Sequence, residues 1–382
     1  MSGLNDHSSR AHALLSASSA SRWLVCTPSA VAATMYPNQD TAFTREGTLA
    51  HEVAERLCLG SSQLPPEKAW GPEVTPEMVR CAEAYRDYIQ ELIVDDSAVV
   101  LLEQRVDFSP WVPDGFGTAD CIIIQGSRMD VVDYKYGQGV AVEAESNPQM
   151  MLYGLGALND FGMVYDVQEV RLHIFQPRMN NVSAWSLPAV ELLHWGDEAI
   201  APTAAKAAKR EGSYATGPHC RFCPHAGACA ALAEDCMTLV DVPGTHSKAG
   251  IRSLAPWQVA DILMNEPMIS AWLKAVKERA LSQLLDGEEI PGFKVVSGRS
   301  TRTWADDLEV CQLLAAAGFA REEYTKTETL SPAAMEKAIG KKKVAELLSG
   351  QILTNPGAPT VAPESDKRKP FDRLAEAKKD FE

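Results

Sequence analysis

Two carboxylates and an ammonium stand at the facing ends of two short apolar segments. The first segment, Ala119–Ile124, carries Asp120 near its start. The second, Met129–Tyr134, carries Asp133 near its end, and Lys135 follows directly. Burying a charged side chain inside a sheet costs free energy unless the charge is paired or binds a metal. Carboxylate oxygens bind Mg²⁺ or Mn²⁺, and an ammonium beside them could help such a metal to activate water against a phosphodiester bond.

The element expected to position these residues is a β-hairpin. The residues between the two segments, Gln125-Gly126-Ser127-Arg128, include a glycine that suits a tight turn. Ile, Val and Tyr dominate both arms, as is typical of buried strands. Asp133 and Lys135 are two residues apart, so on a strand they point to the same face. Antiparallel pairing of the arms would bring Asp120 beside them.

Two neighbouring stretches add polar side chains to this region. Residues 147–153 predict the start of a helix on which Gln149 and Tyr153 lie one turn apart on the same face. Thr44–Leu59 has apolar residues at helical spacing, and His51 lies off that apolar stripe. An Asp-x-Lys pattern alone usually marks a solvated strand edge, but these three additional residues favour a functional site.

The remaining elements complete an α/β pattern. Val99–Phe108 predicts the first long strand, in which Glu103 either leans toward the carboxylates or lies on an exposed sheet face. The further predicted elements are a helix over Pro76–Val94, strands over Val167–Pro177 and Ala184–Leu187, and a helix over Val190–Gly212. This order predicts a small mixed sheet with helices on both faces.

In their order and spacing, these motifs resemble the PD-(D/E)XK nucleases, and specifically the RecB-type exonuclease branch. The resemblance covers about residues 20 to 230, and the chain departs from the pattern in lacking a proline before Asp120. It implies a restriction-endonuclease-like core and metal-dependent hydrolysis of DNA. An exonuclease that acts on DNA ends in phage-type recombination or repair, beside a single-strand-binding or annealing protein, is the expected activity.

The resemblance also implies roles for individual residues. The expected catalytic residues are Asp120, Asp133, Lys135, Gln149 and Tyr153. The two aspartates would bind Mg²⁺ or Mn²⁺, with His51 as a further ligand. Lys135 would orient the attacking water and stabilise charge on the phosphorus centre, while the glutamine and tyrosine would position the scissile phosphate or the lysine.

A cysteine pattern forms a second candidate metal site. Cys220, Cys223 and Cys229 have the spacing Cys-x-x-Cys-x5-Cys, which in a cytoplasmic protein nearly always binds metal. The fourth ligand decides which metal is expected. A ligand close in sequence would indicate Zn²⁺, and the candidates are Cys236, His219 and His225.

A distant fourth ligand, Cys26, would indicate a [4Fe–4S] cluster instead. The RecB-type branch includes iron–sulfur members with one cysteine near the N-terminus and such a triplet after the nuclease core. The chain is similar in both parts, including Pro28 after Cys26 and Pro224 after the middle cysteine. The resemblance therefore favours a structural iron–sulfur cluster that staples the first helix to the end of the core.

Composition places the chain in an ordinary globular class. It has 382 residues, 46% apolar and 23% charged, with no apolar run long enough for a membrane span. The N-terminus lacks a signal-peptide pattern, so a cytoplasmic location is expected, in a bacterial host cell if the protein is phage-encoded. The net charge of −15 disfavours a general nucleic-acid binder and favours a partner protein that delivers DNA.

The predicted domain organisation has four parts. These are a flexible N-terminus over 1–15, a nuclease core with the cysteines over 16–240, an α-rich module over 241–354 and a mobile tail over 355–382. The module is expected to hold a strand at Ile290–Gly298 and helices at Asp306–Ala317 and Ser331–Leu348. The alternatives to a nuclease are a non-catalytic DNA-processing scaffold and a zinc-binding adaptor that recruits a partner.

Overall fold

A computed structural model describes residues 13–36, 42–60, 73–240 and 255–296, together with the single residues 311, 340, 342 and 346. The chain divides into two compact units, 1–291 and 292–382. All of the elements named below belong to the first unit. Apart from those four single residues, the two predicted helices after residue 305 and the tail lie outside the described residues, and the domain boundaries proposed from the sequence stay predictions.

Five strands form one mixed sheet in chain order. They are β1 (Val99–Asp107), β2 (Phe116–Gln125), β3 (Arg128–Tyr134), β4 (Glu169–Gln176) and β5 (Asn181–Pro188). Neighbouring strands are antiparallel except for β3 and β4, which are parallel. The predicted hairpin is confirmed as β2–β3, and Gly126 in its turn has a φ of +56°, which glycine adopts without steric cost.

Helices cover both faces of the sheet. Among the described residues they are α1 (Ala20–Trp23), α2 (Ser29–Ala33), α3 (Ala42–Cys58), α4 (Pro76–Leu92), α5 (Pro148–Ala157), α6 (Met163–Tyr165), α7 (Ala189–Trp195), α8 (Ala201–Ala208), α9 (Ala230–Val240) and α10 (Pro256–Leu285). The predicted mixed α/β architecture, a five-stranded sheet flanked by helices, is confirmed.

The side-chain alternation of β2 explains the two layers. Ile122 and Ile124 are buried in a core shared with α5, α7 and α8. Cys121 and Ile123 point the other way, into a second core under α3 and α4. Successive residues of a strand face opposite sides, so a run that is apolar throughout requires cover on both faces.

The crossover helix α5 begins at a point that the local sequence specifies. Parallel strands cannot be joined by a tight turn, so the chain passes through α5 between β3 and β4. Asn147 caps this helix, since its side chain accepts hydrogen bonds from the backbone N–H groups of Gln149 and Met150. Pro148 occupies the first helical position, where its missing N–H costs nothing.

Two predicted elements differ in detail. The predicted helix Val190–Gly212 is α7 followed by a π-helical turn, Gly196–Ile200, and then α8. Residues 290–296 are irregular rather than a strand, because Pro291 and Gly292 form a turn in which the glycine has a φ of +81°. None of the helices that the structure describes has the length and apolarity needed to cross a bilayer.

Candidate functional site

Three carboxylates lie at one level of three neighbouring strands. The β2–β3 register, continued by one residue beyond its last pair, sets Asp120 opposite Asp133. In the β1–β2 register, Glu103 lies opposite Asp120, between the pairs Leu102–Cys121 and Gln104–Ala119. Paired residues on adjacent strands have their side chains within reach of each other, so the sheet assembles a transverse acidic row.

Asp133 is at the centre of a hydrogen-bonded group. Its side chain is 5% exposed, and its Oδ1 accepts hydrogen bonds from Lys135 Nζ at 3.2 Å and from Gln149 Nε2 at 3.2 Å. Its Oδ2 lies 3.0 Å from Lys135 Nζ, yet it accepts no hydrogen bond from any described residue. Lys135 Nζ also donates to Gln149 Oε1 at 3.3 Å. Gln149 Nε2 donates to Tyr153 OH at 3.3 Å.

Asp120 links this group to α3. Its Oδ2 accepts a hydrogen bond of 2.7 Å from the backbone N–H of Tyr134, and its Oδ1 lies 3.3 Å from His51 Nδ1. One ligand atom from each of His51, Glu103 and Asp120 lies within 4.8 Å of the others, and all three residues are partly buried. Oxygen and imidazole nitrogen donors suit a divalent cation such as Mn²⁺.

Burial and mutual charge set the protonation of the central residues. Burial raises the pKa of Asp133, and Asp120 adds to this, while Lys135 opposes it. Burial alone would lower the pKa of Lys135, but Asp133 and Asp120 outweigh it and the pKa is raised. Burial alone would also lower the pKa of His51, but nearby carboxylates, with Asp120 the largest contributor, outweigh it and the pKa is raised. Lys135 is therefore an ammonium at neutral pH, and a bound cation would favour the ionised form of Asp133.

Burial and neighbouring carboxylates also raise the pKa values of Tyr153 and Glu103. Burial, with Asp133 as the next cause, raises the pKa of Tyr153 to about 12, so the phenol keeps its proton. Burial, followed by the charge of Asp120, raises the pKa of Glu103 to about 7. Glu103 also lines a cavity of about 350 Å³, and the other lining residues, all from α3, are Gly47, Thr48, His51, Glu52 and Glu55.

Close packing holds the tyrosine of α5 over β2. A Cβ atom built on Gly117 would lie 2.6 Å from Cε1 of Tyr153, closer than two such atoms can approach. Gly117 therefore makes room for the Tyr153 ring. This close packing explains why a glycine precedes Thr118-Ala119-Asp120, without any role in a turn.

The structure places the residues that the sequence singled out in two groups: hydrogen bonds link Asp133, Lys135, Gln149 and Tyr153, whereas His51 and Asp120 lie together with Glu103. The sequence contained one signal for Glu103, which is the only charge in the first half of its predicted strand. That signal could not show which way the side chain points.

Cys220 lies in a short 3₁₀ turn, Pro218–Phe222, which Cys223 follows directly, and Cys229 directly follows a second 3₁₀ turn, Ala226–Ala228. Around these turns is a small apolar core of the three fully or largely buried residues Ala226, Leu232 and Cys236. The partly buried residues packed against it from the turns and from α10 are Cys220, Cys223, Cys229, Met268, Ile269, Trp272 and Ala275. Thus α10 belongs with the cysteine segment.

Cys26 lies within electrostatic reach of the triplet. The pKa of Cys220 is raised first by burial and then by the charges of Cys223, Cys229 and Cys26. Cys236 is fully buried in the small apolar core, and its pKa is raised by burial and by Asp235. Cys26 is therefore near the triplet, and Cys236 lies in the apolar core against which the triplet packs.

Other contacts fix the position of Cys26 and occupy the two histidines. Thr27 Oγ1 donates a hydrogen bond of 2.7 Å to the carbonyl of Glu211, just after α8. His219 Nε2 lies 2.9 Å from the carbonyl of Ala215. His225 Nδ1 lies 2.9 Å from a phenol oxygen of the N-terminal segment, that of Tyr36. Thr27 and Tyr36 therefore tie the N-terminal segment to Glu211 and to His225, which lie in sequence on either side of the first two cysteines of the triplet.

Two comparisons with known proteins bear on the chain. A family described as "Protein of unknown function (DUF2800)" has a model that matches residues 12–369, which include both candidate sites. A solved structure titled "Crystal structure of SSO0001" is 13% identical, and the match covers 48% of this chain and 85% of that chain with a TM-score of 0.22. Because this TM-score is low, the structural match supports no conclusion about fold or function.

Proposed function

This chain belongs to the DUF2800 family of proteins of unknown function, and we propose that it acts as a metal-dependent deoxyribonuclease with a restriction-endonuclease-like, PD-(D/E)XK core. One observation carries the proposal: Asp133, Lys135 and Gln149 are in hydrogen-bond contact, at the strand level of Asp120. Carboxylates and a charged lysine around one point form a constellation suited to phosphodiester hydrolysis.

The donor set fits a divalent cation. Asp120, Asp133 and His51 would hold Mg²⁺ or Mn²⁺, and the buried Asp133 Oδ2, which lies 3.0 Å from Lys135 Nζ but accepts no hydrogen bond from the described residues, would supply one ligand atom. Such a cation, when bound, acidifies a water molecule and neutralises charge on the phosphoryl oxygens. Two carboxylates beside one ammonium leave a surplus of negative charge, which favours cation binding at this point.

The remaining residues would position the reactants. Lys135, which stays protonated, donates hydrogen bonds and would orient the attacking water or stabilise the phosphoryl oxygens. Gln149 contacts both Lys135 and Tyr153 and so holds the ammonium in place. Tyr153 keeps its proton and can donate a hydrogen bond to a phosphate oxygen. We expect the enzyme to degrade DNA from its ends.

A [4Fe–4S] cluster held by Cys26, Cys220, Cys223 and Cys229 is the second part of the proposal. The position of Cys26 near the triplet supports it, since a four-thiolate set is the usual ligand set of such a cluster. The cluster would join the N-terminal helices to the cysteine segment and α10. The alternative is a zinc ion held by the triplet and by a fourth ligand close in sequence, which would be Cys236, His219 or His225.

The charge balance suggests how DNA would reach the site. A net charge of −15 opposes tight association with DNA without help. We therefore propose a single-strand-binding or annealing protein as the partner that delivers DNA. Its addition should increase the rate of cleavage most strongly at low DNA concentration.

The first experiment is anaerobic purification followed by an absorption spectrum, iron and zinc analysis, and incubation with linear and circular DNA in the presence of Mg²⁺, Mn²⁺ or EDTA. We expect a brown, iron-containing protein that degrades linear DNA with either metal and leaves circular DNA intact. Asp133→Asn and Lys135→Ala should keep the iron and the fold and should lose cleavage by about a hundredfold or more.

Either of two outcomes would overturn the proposal. Variants that cleave DNA as well as the wild type would refute the active-site assignment. A colourless, zinc-containing protein that leaves both DNA forms intact would favour the scaffold or the adaptor instead.

A further inference from the structure

We infer that Glu103 is a further ligand of the metal at the proposed active site, held there by a distortion that β1 and β2 share. This assignment rests on the proposed function and deepens it. It adds a residue that the PD-(D/E)XK resemblance does not supply, and it concerns metal binding rather than the chemistry of cleavage alone.

The backbone at Glu103 is unusual for a strand. It lies in the middle of β1, between residues that pair normally with β2, yet its φ is +44°. A residue other than glycine rarely adopts this left-handed conformation, because its Cβ then crowds the backbone. Such strained residues persist only where the surrounding structure holds them, and they concentrate at functional sites.

The distortion reverses the side-chain alternation on both strands at the same level. In a regular strand, residues an odd number apart face opposite sides. Here residues an odd number apart share the core on the α5 side, namely Leu101 and Val106 on β1 and Ala119 and Ile122 on β2. The ladder pairs on either side keep the same register, so neither strand gains a residue.

Glu103 and Asp120 stand opposite each other at the point of reversal. The consequence is that both carboxylates approach α3, where His51 Nδ1 lies 3.3 Å from Asp120 Oδ1. The ligand atoms of these three residues lie within 4.8 Å of one another. Two ligands on opposite sides of one Mg²⁺ ion are about 4.2 Å apart, so the spacing is close to that of a single coordination sphere.

Glu103 also borders the space through which an ion could enter. Among the described residues that line the 350 Å³ cavity, Glu103 is the only one from the sheet, and the rest lie along α3. A cation that enters through this cavity would therefore meet His51 and Glu103 at its lining, with Asp120 within 4.8 Å of both.

The test measures Mn²⁺ binding without DNA, by calorimetry or by electron paramagnetic resonance, on the full chain as purified. Glu103→Gln keeps the shape and removes the charge, while Glu103→Gly also relieves the positive φ. Both should weaken Mn²⁺ binding by about tenfold or more. Glu52→Gln removes an exposed carboxylate from the same cavity and should leave Mn²⁺ binding unchanged.

Thermal unfolding in EDTA separates a metal role from a structural one. If Glu103 serves the metal, Glu103→Gly should unfold at the same temperature as the wild type or at a higher one. The inference would be overturned if Glu103→Gly unfolds at a lower temperature than the wild type and Glu103→Gln binds Mn²⁺ as tightly as the wild type.

Asp120→Asn distinguishes this inference from the proposed function. If Asp120→Asn weakens Mn²⁺ binding and Glu103→Gln does not, only the assignment of Glu103 fails. If neither substitution affects binding, the proposed metal site itself is refuted, and the assignment of Glu103 fails with it.

Discussion

At the scale of single residues, the main feature of this molecule is an excess of negative charge in a largely buried place. Asp133 and Asp120 are 5% and 13% exposed, and Lys135 is the one ammonium in contact with Asp133 among the described residues. Partly buried carboxylates that lack full compensation destabilise a folded state. A bound cation would remove this cost, so metal binding and stability should be linked.

Removal of one carboxylate should therefore reveal the linkage. In EDTA, Asp133→Asn should unfold at the same temperature as the wild type or higher, because a buried charge has been removed. Added Mn²⁺ should raise the unfolding temperature of the wild type and have little effect on the variant. Calorimetry with and without Mn²⁺ checks this, and an equal rise in both proteins would contradict it.

The pH dependence of the metal-free protein should report on Glu103. Its pKa is about 7 in the folded state, above the ordinary 4.5, so the folded protein holds this proton more tightly than the unfolded chain does. Stability should therefore fall as the pH rises from about 4.5 to about 7, and the loss should be complete above that. Since the side chain is partly exposed, we expect a loss on the order of 1 kcal/mol relative to Glu103→Gln.

Urea denaturation in EDTA at several pH values measures this difference. Glu52→Gln serves as the control, and its stability should follow that of the wild type across the range. Parallel curves for the wild type and Glu103→Gln would contradict the prediction.

At the scale of elements, α5 determines where two of the site's polar side chains lie. Gln149 is in its first turn and Tyr153 is one turn later, so the position of the helix start sets the position of both. Asn147 fixes that start through its hydrogen bonds to the backbone. The cap of a second helix, Thr75 on α4, offers a matched comparison, since its side chain accepts from Met78 N at 3.1 Å.

The two caps should differ in their effect on cleavage. Asn147→Ala and Thr75→Ala should each reduce the free energy of unfolding by about 1 kcal/mol. Only Asn147→Ala should also lower the rate of DNA cleavage, because it loosens the helix that carries Gln149. Denaturation and cleavage assays on both variants check this, and equal loss of cleavage in both would refute a specific role for the α5 cap.

At the scale of the whole first unit, the cysteine segment joins parts of the chain that are far apart in sequence. Cys26 follows α1, and the triplet lies after α8 and packs against α10. A bound cluster or ion there would close a long loop, and closure of long loops restricts the unfolded chain most. We expect the cofactor to stabilise the unit as a whole.

A pair of cysteine variants tests this grouping. Cys26→Ser should lose most of its iron and unfold at a lower temperature, because one of four ligands is removed. Cys236→Ala should keep its iron and lose only the small stability expected from a buried cavity. Iron analysis and thermal unfolding measure both effects. A Cys236 variant without iron beside an iron-replete Cys26 variant would show that the site is local.

What the sequence determined by itself is local. The hairpin around Gly126, the shared face of Asp133 and Lys135, and the start of α5 at Asn147-Pro148 all follow from turn chemistry, strand periodicity and helix capping. Each of these depends on a few consecutive residues, so an isolated stretch of sequence contains the whole signal. The mixed α/β architecture followed from the order of such elements.

What only the tertiary structure decided depends on contacts between distant residues. Glu103 joins the site because two strands distort at one register level, and no pattern within β1 encodes the partner strand. The approach of Cys26 to the cysteine turns, about 200 residues later in the sequence, likewise arises from tertiary packing. Burial and charge at such points arise from the assembled fold, and for that reason the local sequence could not predict them.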